Sequence, residues 1–168
     1  MLSGKMLYAV HNGTYIIKLS GDVRVSLVAT IDEFFYKMFL DPELESVLFD
    51  LTECTGIDST TLGLLAKVSL ESQDRFHCYP TIVSSNTDIT KILHSMGFEK
   101  VFNLIESDAS TPAKMNELPP VDCTEAEVCH KVITAHKVLM ELNEKNRLAF
   151  TSVVQALEGE QLSSQAKA

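Results

Sequence analysis

A carboxylate and three hydroxyls stand in a row at Asp58-Ser59-Thr60-Thr61, directly behind the glycine-containing stretch Cys54-Thr55-Gly56-Ile57. Asp and Ser at such a place have an ordinary use, because their side chains cap orphan N–H groups at a helix start. Serine hydrolysis would also need a base and an oxyanion site. Gly56-Ile57-Asp58-Ser59-Thr60 does not fit the G-x-S-x-G elbow, and no histidine is near Ser59 in the sequence. A second group of reactive residues is Cys123, Cys129, His130 and His136. Cys129 and His136 can share a helical face, but His130 points elsewhere and the spacing is not that of a zinc framework. No Walker or Rossmann glycine loop is present. These readings predict no catalytic residue, no cofactor and no metal.

The elements that must position these residues are legible from periodicity. Met6–Val10 and Thr14–Leu19 read as strands. Asn12-Gly13 between them favours the left-handed backbone of a type I′ hairpin turn. Ser20-Gly21-Asp22 interrupts the pattern. Leu27, Ile31, Phe34 and Met38 recur at helical spacing within Ser26–Leu40, and Asp41-Pro42 ends that helix. Val47–Leu51 reads as a buried strand feeding a loop, Thr52–Asp58, and then a broadly apolar helix from Ser59 to about Asp74. Tyr79–Ser84 is a strand, Thr87–Met96 a short helix stopped by Gly97, and Val101–Ile105 a last strand. Strands alternating with helices after an opening hairpin predict an α/β fold with a mixed sheet covered by helices.

Residues 108–122 contain Pro112, Pro119 and Pro120 and read as a linker. Thr124 and Glu127 then fit a capping box. The stripe Val128, Val132, Ala135, Leu139, Leu142, Asn146, Ala149, Val153 and Ala156 follows at coiled-coil-like spacing, with Asn146 as a polar seam residue able to set register. Two arrangements suit it: a helix or hairpin, bent near Asn143–Asn146, folded back on the domain, or an intermolecular pairing that makes a homodimer. The domain reading is therefore 1–107, a 108–122 linker, a 123–158 helical extension and a 159–168 flexible tail.

Bulk properties narrow the class. The 168 residues are 45% hydrophobic and 22% charged, ordinary for a globular chain. A net charge of -9 disfavours nucleic acid and anionic membrane surfaces. No apolar run has membrane-spanning length, the N-terminus lacks a secretory stretch, and the four cysteines form no CxxC pair. A cytoplasmic protein with reduced thiols is expected.

From Met6 to Ile105 the chain resembles a STAS domain of the anti-sigma factor antagonist class. The resemblance is carried by the element order, by Gly21-Asp22 after the second strand, and by Asp50, Gly56, Asp58, Ser59 and Gly63 in the strand–loop–helix segment. It implies a non-enzymatic bacterial regulator of transcription that works by partner switching. The unphosphorylated form binds an anti-sigma factor, often a GHKL-type serine kinase, and phosphorylation at Ser59 releases it. A PP2C-type phosphatase resets the switch. Asp22, Ile57, Asp58, Thr60 and Thr61 are expected around the docking surface, with Thr60 and Thr61 as alternative acceptors and Asp50 as a structural acid. An alternative is a STAS ligand-sensing or scaffold module that binds a nucleotide or small anion, or another signalling protein through its helical extension. That extension departs from a minimal antagonist.

Overall fold

A computed structural model describes residues 2–108 and 114–166. Residues 109–113 of the expected linker and 167–168 of the expected tail lie outside the described residues.

The opening hairpin follows from one dipeptide. Asn12 and Gly13 take φ of 48° and 81°, the pair of left-handed values a type I′ turn requires, and join β1 (Lys5–His11) to β2 (Thr14–Val23). Strand β2 runs through the expected break. Gly21, at φ 76°, bulges it, and the tail beyond turns to a new partner. A 3₁₀ turn at Val25–Leu27 leads into α1 (Val28–Leu40). Then come β3 (Ser46–Asp50), β4 (Cys54–Ile57), α2 (Ser59–Phe76), β5 (Thr81–Ser84), α3 (Thr87–Ser95) and β6 (Asn103–Glu106). Gly97 takes φ 80° just beyond α3.

The main sheet has the order β6-β5-β3-β2-β1-β7, where β7 is the two-residue strand Asn116–Glu117. Strands β2, β3, β5 and β6 are parallel, while β1 and β7 run antiparallel to their neighbours. Ile17, Phe49 and Ile82 on three adjacent strands are fully buried, as is Leu65 on α2. Phe35, Phe49, Phe102 and Phe98 form a continuous run of ring contacts, with centroids 4.9–6.2 Å apart.

Two strands lie in segments whose sequence reads as loop. Within Thr52–Asp58, β4 pairs in parallel with the tail of β2 beyond its bulge. Within 108–122, β7 adds to the exposed edge of β1. Both are too short to show a period, and each exists because an edge was waiting for it.

The C-terminal region is a helical hairpin folded back on the domain. The capping box forms as Thr124 and Glu127 predict, opening α4 (Glu125–Leu142). Asn143, fully extended at φ −166° and ψ 167°, breaks the helix, and its side-chain oxygen accepts from the N–H of Asn146 at 2.8 Å to start α5 (Glu144–Ala166). The helix thus continues beyond the Glu158 boundary read from the sequence. Ala135 and Leu139 of the apolar stripe join the domain core. Asn146 is buried and donates to the carbonyls of Met96 (2.9 Å) and Leu139 (3.0 Å), tying the hairpin corner to the end of α3.

Candidate functional site

The start of α2 is built by three neighbours. Asp50, at the end of β3, is fully buried and accepts from the N–H and hydroxyl of Thr52 at 2.9 and 2.7 Å, which turns the chain. The turn delivers β4, whose Cys54 thiol donates to the Gly56 carbonyl; burial pushes that thiol up to about 11 and keeps it protonated. The N–H of Asp58 then bonds the Val23 carbonyl at 3.2 Å, fixing the helix start against the end of β2. Asp58 is the N-cap: its Oδ1 accepts from the N–H of Thr61 at 2.9 Å and from the Thr61 hydroxyl at 2.8 Å.

Ser59 is the first residue of α2 and is half-buried. Its Oγ lies 2.8 Å from Nε2 of His136 on α4. The other ring nitrogen, Nδ1, is 2.7 Å from the main-chain carbonyl of Val132. A carbonyl only accepts, so Nδ1 carries the hydrogen; in the neutral ring Nε2 then presents a lone pair to which the Ser59 hydroxyl donates. His136 is 5% exposed, with the Phe150 ring of α5 edge-on at 5.2 Å. Beside this pair α2 and α4 cross in direct contact. A Cβ on Gly63 would sit 2.3 Å from the Ala135 carbonyl oxygen and 2.7 Å from its Cβ, so only glycine allows this approach.

The other side chains expected around the docking surface divide by exposure. Asp22 is half-buried, its Oδ1 2.7 Å from Arg24 Nε, and the space where a Gly56 Cβ would stand is filled by that carboxylate. The exposed Arg24 guanidinium is held above its ordinary pKa mainly by its hydrogen bond to Asp22, with a smaller contribution from Asp58. Asp22, Asp58 and Arg24 therefore share one charged corner at the start of α2. Ile57, Thr60 and Thr61 are buried, and the Thr61 hydroxyl is committed to Asp58.

Sequence reasoning weighed His136 only as a metal ligand and missed its contact with Ser59, 77 positions away. Its signal was indirect. It follows Ala135 and lies one turn after Val132 on the apolar stripe, so a fold-back of that stripe had to bury it and give it partners. A serine donating to a histidine lone pair is half of a hydrolytic triad, but the histidine is oriented by a carbonyl rather than a carboxylate. The histidine of the pair is buried beneath Phe150 of α5, while Ser59 keeps partial exposure. Ser59 lines neither the groove of about 830 Å³ between α1, α2 and the start of α4 nor the pocket of about 330 Å³ beside α3.

A family model for the STAS domain matches residues 5–110, well over half of the chain. The chain belongs to the STAS domain family. Its β–α frame is similar to that of solved STAS structures. An anti-sigma factor antagonist from Mycobacterium paratuberculosis aligns at 19% identity and a TM-score of 0.54, over 61% of this chain and 86% of that one. The phosphorylated form of SpoIIAA, a Bacillus cell fate determinant, aligns at 14% identity and a TM-score of 0.50, over 61% of this chain and 90% of that one. No curated protein sequence matches. At these identities the structural likeness speaks for the fold, and the matched STAS region ends before α4 begins. Among the described residues no helix is long and apolar enough to cross a membrane.

Proposed function

We propose that this protein is an anti-sigma factor antagonist of the cytoplasm that acts by partner switching, with Ser59 as its phosphoacceptor. The unphosphorylated form binds an anti-sigma factor with a GHKL-type kinase fold. Phosphorylation by that kinase releases it, and a PP2C-type phosphatase restores binding. The protein is the substrate of both enzymes and the catalyst of neither.

The observation that carries this reading is the placement of a half-buried serine at the first position of a capped helix whose main chain is fixed by β2, β4 and Asp58. A phosphoserine adds about -1.5 to -2 charges near neutral pH. The N-terminus of α2 stabilises such a charge by ~0.3–1 kcal/mol. An acidic group on a partner about 4 Å away would be repelled by ~4 kcal/mol per unit charge at an effective dielectric near 20. Since ~1.4 kcal/mol is tenfold in affinity, one such clash weakens binding several-hundredfold. Arg24 balances Asp22 in this corner, so Asp58 leaves a net negative charge that a phosphate deepens.

The test is retention of the anti-sigma partner on immobilised full-length variants. Ser59→Ala is expected to hold it constitutively and Ser59→Asp to lose it. Equal retention by the two rejects the switch.

A further inference from the structure

The helical hairpin is docked on the very residue that the proposed switch modifies. Around Ser59 it makes three kinds of contact: the hydrogen bond from Ser59 to His136, the glycine-permitted crossing of Gly63 with Ala135, and the burial of Leu139 in the domain core. Further along α4 toward its start, Lys131 pairs with Asp32 of α1 at 2.5 Å, an ion pair that holds the ammonium above its ordinary pKa. At the opposite end Asn143 and Asn146 both donate to the Met96 carbonyl, and the Asn143 amide fills the space that Gly97 leaves open.

We propose that the α4–α5 hairpin is an internal latch over Ser59, held closed by the Gly63–Ala135 crossing and the burial of Leu139, and opened by the bulk and charge of a phosphate on that serine. The inference rests on Ser59 being the phosphoacceptor.

In the closed state the Ser59 hydroxyl sits against His136. In the transfer, Ser59 Oγ bonds to the terminal phosphorus of a nucleoside triphosphate held by the kinase. The bond from that phosphorus to the nucleoside diphosphate breaks, and the hydroxyl proton is released to solvent. The product ester oxygen has no hydrogen to give, so the His136 lone pair faces an acceptor and a dianion in place of a donor. Nor is there room: 2.8 Å between Oγ and Nε2 does not hold a phosphoryl group. Helix α4 cannot shift along α2 to make that room, because the Ala135 backbone already lies against Gly63. It must move away, and Ala135 and Leu139 move with it. The corner at Asn143, bound to Met96 by side chains that do not touch Ser59, stays as the hinge.

The test uses the full chain with phosphoserine incorporated at position 59 by codon expansion, and amide hydrogen exchange as the readout. The latch predicts exchange across residues 128–139 at least tenfold faster in the phosphoprotein than in the unmodified protein, with β3 and β5 unchanged. Ser59→Ala, which removes the hydrogen bond but adds no charge, is expected to change the same segment less than threefold. Exchange less than tenfold faster than in the unmodified protein, or slower, overturns the latch. Equal acceleration in β3 and β5 overturns it too, because the effect would then be global. No partner enters this measurement. Release of the hairpin with no phosphate effect on partner binding would refute partner switching alone; unchanged exchange with phosphate-dependent partner loss would refute the latch alone.

Discussion

The β–α frame and the C-terminal hairpin are both well-formed secondary structure, yet they are held in place by different means. In the frame, strands β2, β3 and β5 carry fully buried residues at their centres, and four phenylalanines bind α1, β3 and the segment around α3 into one cluster. In the hairpin, α4 buries Ile133, Ala135, His136 and Leu139, whereas the 23 residues of α5 bury only Asn146 and Val154. Leu148 and Leu162 of α5 are 67% and 68% exposed. The frame is held by apolar bulk. The hairpin adds Ala135 and Leu139 to that core and is otherwise held by one close helix crossing and a few polar bonds toward its ends. Polar bonds switch when a proton or phosphate is added, and buried phenylalanines do not. This division places the regulable contacts outside the core.

Two substitutions sharpen that contrast. Phe49→Ala removes a fully buried ring from the centre of the sheet and is expected to cost ~3–5 kcal/mol, read as a lower midpoint of chemical denaturation for the whole protein. A loss confined to the frame, with the hairpin's protection unmoved, would show that the two regions share no common core. Asn146→Ala is expected to cost a smaller ~1–3 kcal/mol, because the carbonyls of Met96 and Leu139 lose a buried donor. Its effect should appear as faster amide exchange in α4 and α5 while β3 and β5 keep their protection. Faster exchange throughout the sheet would make the hairpin part of the frame's own stability.

The same contrast explains what the sequence could disclose. The Asn12-Gly13 turn, the left-handed Gly97 and the Thr124–Glu127 capping box depend on neighbours in the chain, and all three are present as the residues predict. Strands β4 and β7 depend on an edge supplied from elsewhere, and nothing local marks them. Gly21 signalled a break because its backbone is left-handed, but the strand absorbs it as a bulge and continues. Asn146 read as a register device within a seam; in the structure it serves carbonyls at a helix corner, a role visible only once α3 lies beside it. At the candidate site, the helix start and its Asp58 cap were legible, and the importance of Ser59 came from resemblance to a family. The His136 contact was not legible, since it needs the hairpin to return across the domain.

The central claim concerns the covalent state of one side chain, so the most direct measurement is phosphopeptide mapping with intact mass on protein purified from its native cells. The account predicts a fraction of the chains heavier by a single phosphate, carried on Ser59. Phosphate on Thr60 or Thr61 instead, or unmodified Ser59 under every growth condition sampled, would contradict it.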